Sequence, residues 1–524
     1  MWRVKFVRNP LLLALLTLSQ FLLAEEADPC RLNSAGAASA ECIQSLQRQI
    51  SELKSLVQDM RAEVGSSRDA VMELRKELRA ARNLPEQPPL QEQIQTGKTA
   101  YGAAGSTAPQ QTQTEGRADQ EEELDLLNAK VNEQYQTKVE SASKYRVRLS
   151  GMVLFNMFSN AGAVDNIDFP HLALPQQSTR SNGTFGGSLR QSQIGLELFG
   201  PTLLNARTSA DVQFDFAGGF PNTLNGVSSG LVRLRTGTVQ LDWSRTSLVA
   251  GQDALFFSPL SPSSLASTAI PAFSYAGNIW SWTPQVRVEH KFDLGSQRFT
   301  VQAGILDSLT GEPPYAGYYR TRTAGENSSQ PAYALRTAWS HGSSDDAATF
   351  GIAGYYGRQD WGFDRNIDSW AAMTDWSVPL GELFKFSGEF YGGRAAGGLG
   401  AGIGRSVFYL GPIQSPSSQV VGVDTLGGWA QLKFKPTTRL EFNAAFGQDN
   451  LRAEQVRAYA GTPSTFDPLF DPALFRNRSG MVNVIYRVRS NVLLSLENRQ
   501  LQTFRIDESS RNANHTSMSV GVLF

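Results

Sequence analysis

The chain ends on residues 515–524, HTSMSVGVLF, and this stretch decides the fold. Met518, Val520, Val522 and Phe524 share one parity, while Ser517, Ser519 and Gly521 share the other. Chain ends are ordinarily polar and frayed, because nothing ties them down. A period of two sends successive side chains to opposite faces of a strand. The terminus therefore reads as a strand with one apolar face and one small, polar face.

The same period recurs upstream. Residues 208–216, TSADVQFDF, set Ala210, Val212, Phe214 and Phe216 against Asp211, Gln213 and Asp215. QVRVEHKF, FKFSGEF, GWAQLKF and VNVIYRV repeat the pattern, each with one wet and one greasy face. Sixteen strands are expected near 146–158, 189–199, 206–216, 230–243, 246–252, 284–292, 298–306, 331–341, 349–357, 369–378, 383–393, 426–435, 439–449, 479–489, 491–502 and 513–524.

A soluble sandwich and a membrane barrel both fit such strands, and connection lengths separate them. Short links such as DLGSQ and KPTTR alternate with long ones near 159–188, 217–229, 253–283, 307–330, 358–368, 394–425, 450–478 and 503–512. Membrane barrels keep short turns on one side and long loops on the other. An open sheet edge in hydrocarbon would strand backbone N–H and C=O groups, so the last strand must pair with the first. The expected fold class is all-β: a 16-stranded antiparallel transmembrane β-barrel over 145–524, with an N-terminal α-helical coiled-coil extension.

The extension follows from a different period. Residues 1–24 carry Arg3, Lys5 and Arg8, then an apolar run too short to span a bilayer, as in a signal peptide. The next segment, 25–82, holds Cys30 and Cys42, the two cysteines of the chain, which could bridge within or between chains; two thiols without a nearby His make no metal site. Over 43–81, Ile43, Ile50, Val57, Val64, Val71 and Leu78 recur every seven residues beside a second apolar seam, which predicts a coiled coil. Residues 83–117 are rich in Pro, Gln, Gly and Thr and read as a flexible linker, and 118–144 as a short helix.

From Glu25 to Ser143 the chain has 13 Lys+Arg against 20 Asp+Glu, and from Lys144 onward 32 against 29. No basic block is clustered enough for nucleic acid. His171, His290, His341 and His515 are scattered, and no GxSxG or HExxH motif occurs, so no enzyme and no cofactor are expected.

A barrel of sixteen strands is wide enough for a water-filled channel. The candidate pore-lining residues are Arg190, Arg207, Asp211, Asp215, Arg233, Arg235, Arg287, Glu289, Lys385, Glu389, Glu497 and Arg499. Two roles stay open for them: solvated wall charges paired across strands, or a selectivity ladder in which Arg favours anions. Residues 253–283 carry Asp253, Phe256, Phe257, Pro259 and Pro262, with further aromatics through Trp282. So many rings in one loop imply packing, either as a constriction inside the barrel or against neighbouring loops.

The signal peptide, the coiled coil, VRLSGMVLFNMF (147–158), the pair LRQSQIGLELFGP and ARTSADVQFDF, and LVAGQDALFFSPLSPSSLA (248–266) together resemble the DcaP-like family of trimeric outer-membrane porins. That resemblance implies a homotrimer in the bacterial outer membrane, its coiled coil in the periplasm, passing dicarboxylates and similar small anions. It favours Arg233, Arg235 and the loop starting at Gln252 and Asp253 as the selective elements. A strand ending in Phe524 also resembles the signal read by the barrel-insertion machinery. The resulting expectation is a passive channel embedded in outer-membrane lipid. The rival is an envelope-tethering protein whose coiled coil contacts peptidoglycan or periplasmic proteins.

Overall fold

The structure is a computed structural model. It describes residues 138–139 and 146–524, apart from 177–180, 221–229, 314–319, 343–346, 412–414, 461–470 and 508–509. The expected signal peptide, Cys30–Cys42 pairing, coiled coil, linker and most of the short helix lie outside the described residues.

The strands are β1 (Lys138–Val139), β2 (Arg146–Ala161), β3 (Gly183–Ser188), β4 (Gln193–Leu203), β5 (Ala206–Asp215), β6 (Arg233–Asp242) and β7 (Thr246–Ala254). Next come β8 (Trp282–Leu294), β9 (Gln297–Leu306), β10 (Ala332–His341), β11 (Ala348–Asp360), β12 (Asn366–Leu380) and β13 (Phe384–Arg394). The last are β14 (Val407–Leu410), β15 (Gln419–Gly422), β16 (Asp424–Phe434), β17 (Leu440–Leu451), β18 (Leu474–Arg489), β19 (Val492–Arg505) and β20 (Arg511–Leu523). β14 and β15 form a small separate hairpin inside a loop. Each remaining strand after β1 pairs antiparallel with its sequence neighbour, and β20 returns to β2 from Met152↔Leu523 to Ala161↔Asn514. The seam is finished by Phe524, whose N–H and C=O both bond Gly151 (3.1 and 2.9 Å). Where β20 stops, β1 takes over the freed edge of β2, pairing Lys138↔Arg148 and Val139↔Val147.

β3 and β4 together make one wall position, since both pair with β2. Sixteen wall strands result, as the sequence predicts. The expected second strand, 189–199, needs correction. Leu189–Ser192 leave the ladder and Arg190–Ser192 are buried, the Ser192 hydroxyl accepting the Leu154 N–H (3.0 Å) and Gln191 wholly enclosed. Two expected long loops also need correction: β11 runs to Asp360 with β12 starting at Asn366, and β19 runs to Arg505 with β20 starting at Arg511, each strand going further than its alternation suggests.

Parity is obeyed. On β20, Met518, Val522 and Phe524 are exposed on the outer wall, while His515, Ser517 and Ser519 are buried within. Val153, Phe155, Ile352, Phe446, Val482 and Leu496 likewise stand outside, the arrangement of a strand with lipid on one side.

The lumen is not uniformly wet. Inward residues Ala332, Ala334, Tyr355, Ala371, Met373 and Tyr391 of β10–β13 are apolar and buried against Leu255, Phe256, Phe257, Ile279 and Leu399 of two loops. A second cluster joins Leu172, Ile403, Phe408 and Val456 to the wall residues Leu451 and Leu474. The core of the molecule therefore sits inside the barrel, built where long loops fold inward.

Candidate functional site

The loop 255–281 leaves β7 and circles the lumen, held by side chains from six wall strands or their ends. The Ser258 hydroxyl and Leu260 N–H donate to the two oxygens of Glu389 on β13 (2.7 and 2.9 Å). Ser263 N–H donates to Gln431 on β16 (2.7 Å), and Asn483 on β18 donates to the Ser263 carbonyl (2.8 Å). The Ser264 hydroxyl reaches Glu497 and Arg499 reaches Ser267, both on β19 (2.6 and 2.8 Å). Gln191, just before β4, donates to Ala266 O and accepts from Thr268 and Ala269 N–H (2.8, 2.8 and 3.1 Å). Arg235 and Arg233 on β6 donate to Thr268 O and Ala269 O (2.7 Å each). The returning limb lies flat on the wall. Gly277, at φ +101°, stands so near the carbonyls of Gly428 and Gln448 that a Cβ would fall 2.1 Å from the first; only glycine fits both demands.

The expected lining residues divide accordingly. Glu389, Glu497 and Arg499 are at most 3% exposed, acting as anchors of the loop instead of opening onto water. Arg190 pairs with Asp168 (3.1 Å) and stacks on Phe169 and Phe220, so it too is buried. Arg207 is exposed at the short-turn end of β5, and Lys385 is half-buried near the start of β13. Glu289 meets Lys291 (3.0 Å) and Gln302 (2.8 Å).

Arg233, Arg235, Arg287, Asp211, Asp215 and Asp253 do come together, on the wall of β5–β8. Asp215 is buried and accepts from both Arg233 (2.6 Å) and Arg235 (3.3 Å). Both guanidiniums lie over the ring of Trp282, at 4.9 and 4.7 Å, a cation–π contact that fixes their planes. Arg287 pairs with Asp253 (2.7 Å) and sits over Phe256. Asp211 accepts from Thr236 (3.3 Å) and Thr238. Beside this cluster lies a partly open polar cavity of about 500 Å³, lined by Glu197, Asp211, Gln213, Arg235, Asp253 and Trp282. The local charge is mixed, with two guanidiniums sharing one carboxylate at Asp215.

Of the loop residues expected at a constriction, Phe256, Phe257 and Pro262 are buried and Pro259 is exposed. Phe257 stacks on Tyr355 (5.6 Å), and Phe256 packs edge-on to Phe257 (5.4 Å). Reading the sequence missed Gln191, Gln431 and Asn483 as anchors. Their one signal was an amide at an inward parity, which is common to any wet wall.

Above the loop, 307–313 interlocks with 395–408. Glu312 accepts from the N–H groups of Ser406 and Val407 (2.9 and 3.1 Å). Burial pushes its carboxyl above the ordinary range despite those donors and the nearby Arg405. Burial likewise lowers Arg405 to about 10, with Glu312 opposing that shift. Ile403 turns back at φ 54°, its N–H bonded to Asp449 of β17 (2.8 Å).

No family model matches the chain, and no curated protein matches it. Among solved structures, the outer membrane channel DcaP of Acinetobacter baumannii superposes at TM-score 0.55 with 15% identity, covering 74% of this chain and 100% of that one. An anion-selective porin from Comamonas acidovorans gives 0.43 at 12% identity, covering 72% and 100%. OmpT of Vibrio cholerae gives 0.42 at 9%, covering 74% and 100%. The described part of this chain thus has the fold of an outer-membrane channel, similar to that of DcaP.

Proposed function

We propose that the chain is an outer-membrane porin through which small hydrophilic solutes, anions such as dicarboxylates among them, diffuse down their gradients. Its path runs between loop 255–281 and the β4–β8 wall. The observation that carries this reading is the polar cavity beside the Arg233–Arg235–Asp215–Trp282 cluster, on a side of the lumen that the apolar loop core leaves unfilled. Arg235 lines that cavity, and a guanidinium held by Asp215 and Trp282 keeps N–H groups of the kind suited to a carboxylate solute. The constriction is assigned to the loop carrying Asp253, Phe256, Phe257, Pro259 and Pro262, and the assembly to a homotrimer, as the family resemblance implies.

Single-channel recording in a planar bilayer tests this. The expected result is a reversal potential of anion-selective sign in a salt gradient, with current reduced by added dicarboxylate. Cation selectivity without block would end the anion reading, and absence of conductance would end the channel reading.

A further inference from the structure

The outer wall of β16–β19 carries a feature that the channel does not use. Outward positions on β18 run Tyr486, Val484, Val482 and Gly480 from the short-turn end, then Arg478 and Arg476. Two guanidiniums thus top an apolar stripe. Arg476 donates through Nε to Asn450 Oδ1 (2.7 Å), and Arg478 donates to Gln502 Oε1 through Nε (2.6 Å) and Nη2. Both lie over the ring of Phe504, at 5.5 and 4.9 Å, and Arg476 also over Phe475 at 5.3 Å. Neutral amides and rings hold them in place, and no carboxylate pairs with either among the described residues.

Directly below is a groove of about 530 Å³ on the same outer face. Ala430, Ala444 and Gly480 floor it, Phe446 and Val482 wall it, and Gln500 stands at its rim. The register makes groove and cations continuous, since Gln448↔Arg478, Phe446↔Gly480 and Ala444↔Val482 are successive outward pairs of β17 and β18. Small residues between large ones leave a furrow of ligand size, open to the bilayer and not to the lumen.

We infer that this face binds a phosphate-bearing lipid of the surrounding membrane, its phosphate on Arg476 and Arg478 and an acyl chain in the groove floored by Ala430, Ala444 and Gly480. Arg forks match phosphate two-pronged and stay charged near hydrocarbon. Charge complementarity favours lipid over a second copy of the chain, which would have to bring carboxylates to a surface whose neighbouring outward groups are amides. The inference rests on the membrane-barrel reading only for the position of this face in the bilayer.

Native mass spectrometry of the full-length protein, titrated with doubly phosphorylated lipid A and with its dephosphorylated form, tests the site. Each cation near an anionic surface contributes roughly fivefold. Arg476→Gln with Arg478→Gln should therefore weaken phosphorylated-lipid binding by about thirtyfold. Gly480→Leu, which fills the groove and leaves the cations, should weaken it too, and the dephosphorylated lipid should not distinguish wild type from the Arg variant. Unchanged single-channel conductance in both variants would show an intact barrel and separate this inference from the channel reading. Equal retention by wild type and both variants overturns it. So does loss of oligomer in the Arg variant with lipid retention unchanged, which would make the face a contact between copies.

Discussion

Asp215 is buried between two guanidiniums, and this decides which substitution reports on selectivity. Removing both Arg233 and Arg235 would leave a buried carboxylate unpaired, a change that costs about 3–5 kcal/mol and confuses folding with conduction. Arg235→Gln alone leaves Arg233 on Asp215. Losing one positive charge from the cavity wall disfavours an anion and favours a cation there, so the anion-to-cation permeability ratio should fall severalfold in reversal-potential measurements. An unchanged ratio would return Arg235 to a purely structural role. Glu312 offers a test in pH. Its folded-state carboxyl is raised by burial, so its neutral form favours the packed loops and that stability is lost as pH rises through the folded-state value. Exchange of the Ser406 and Val407 amides, corrected for intrinsic rates, should accelerate over that rise, and Glu312→Gln should flatten the dependence.

At the scale of elements, loop 255–281 is where most of the site is made. Its aromatic content was legible in the sequence, because an exposed tip would not carry so many rings. Its course was not: the anchors Gln191, Glu389, Gln431, Asn483 and Glu497 are all far from the loop in sequence, and nothing local to any of them points to it. Gln191 holds three backbone groups of 266–269 at once. Gln191→Ala should weaken that anchorage by about 1–3 kcal/mol per group left unpaired. Faster hydrogen exchange at Thr268 and Ala269, with the barrel strands still protected, is the expected readout; unaltered protection would show that the remaining anchors suffice.

For the whole molecule, outward and inward positions should respond oppositely to charge. Ile352 is 61% exposed on the outer wall, while Gln213 faces the polar cavity. Ile352→Arg should destabilise the barrel by about 2–4 kcal/mol if it lies near the bilayer midplane, whereas Gln213→Arg should leave stability nearly unchanged and alter conductance. Urea titration in lipid vesicles compares the two, and equal costs would contradict the assignment of faces. Deleting Phe524 removes both backbone bonds to Gly151 at the seam. The truncated barrel should unfold in detergent at a lower temperature than the full chain.

The sequence by itself determined the number of wall strands, the outward and inward faces along most of them and the return of β20 to β2. Those follow from a period of two and from the need to pair every backbone group, and both are local or topological demands written along the chain. Only the tertiary structure decided what fills the cylinder. An inward polar side chain looks the same whether it lines an open cavity, as Gln213 and Asp211 do, or holds a loop, as Glu389 and Glu497 do. The burial of 190–192 and the apolar lining of β10–β13 depend on loops that return from elsewhere in the chain. Contacts between segments hundreds of residues apart leave no period to read.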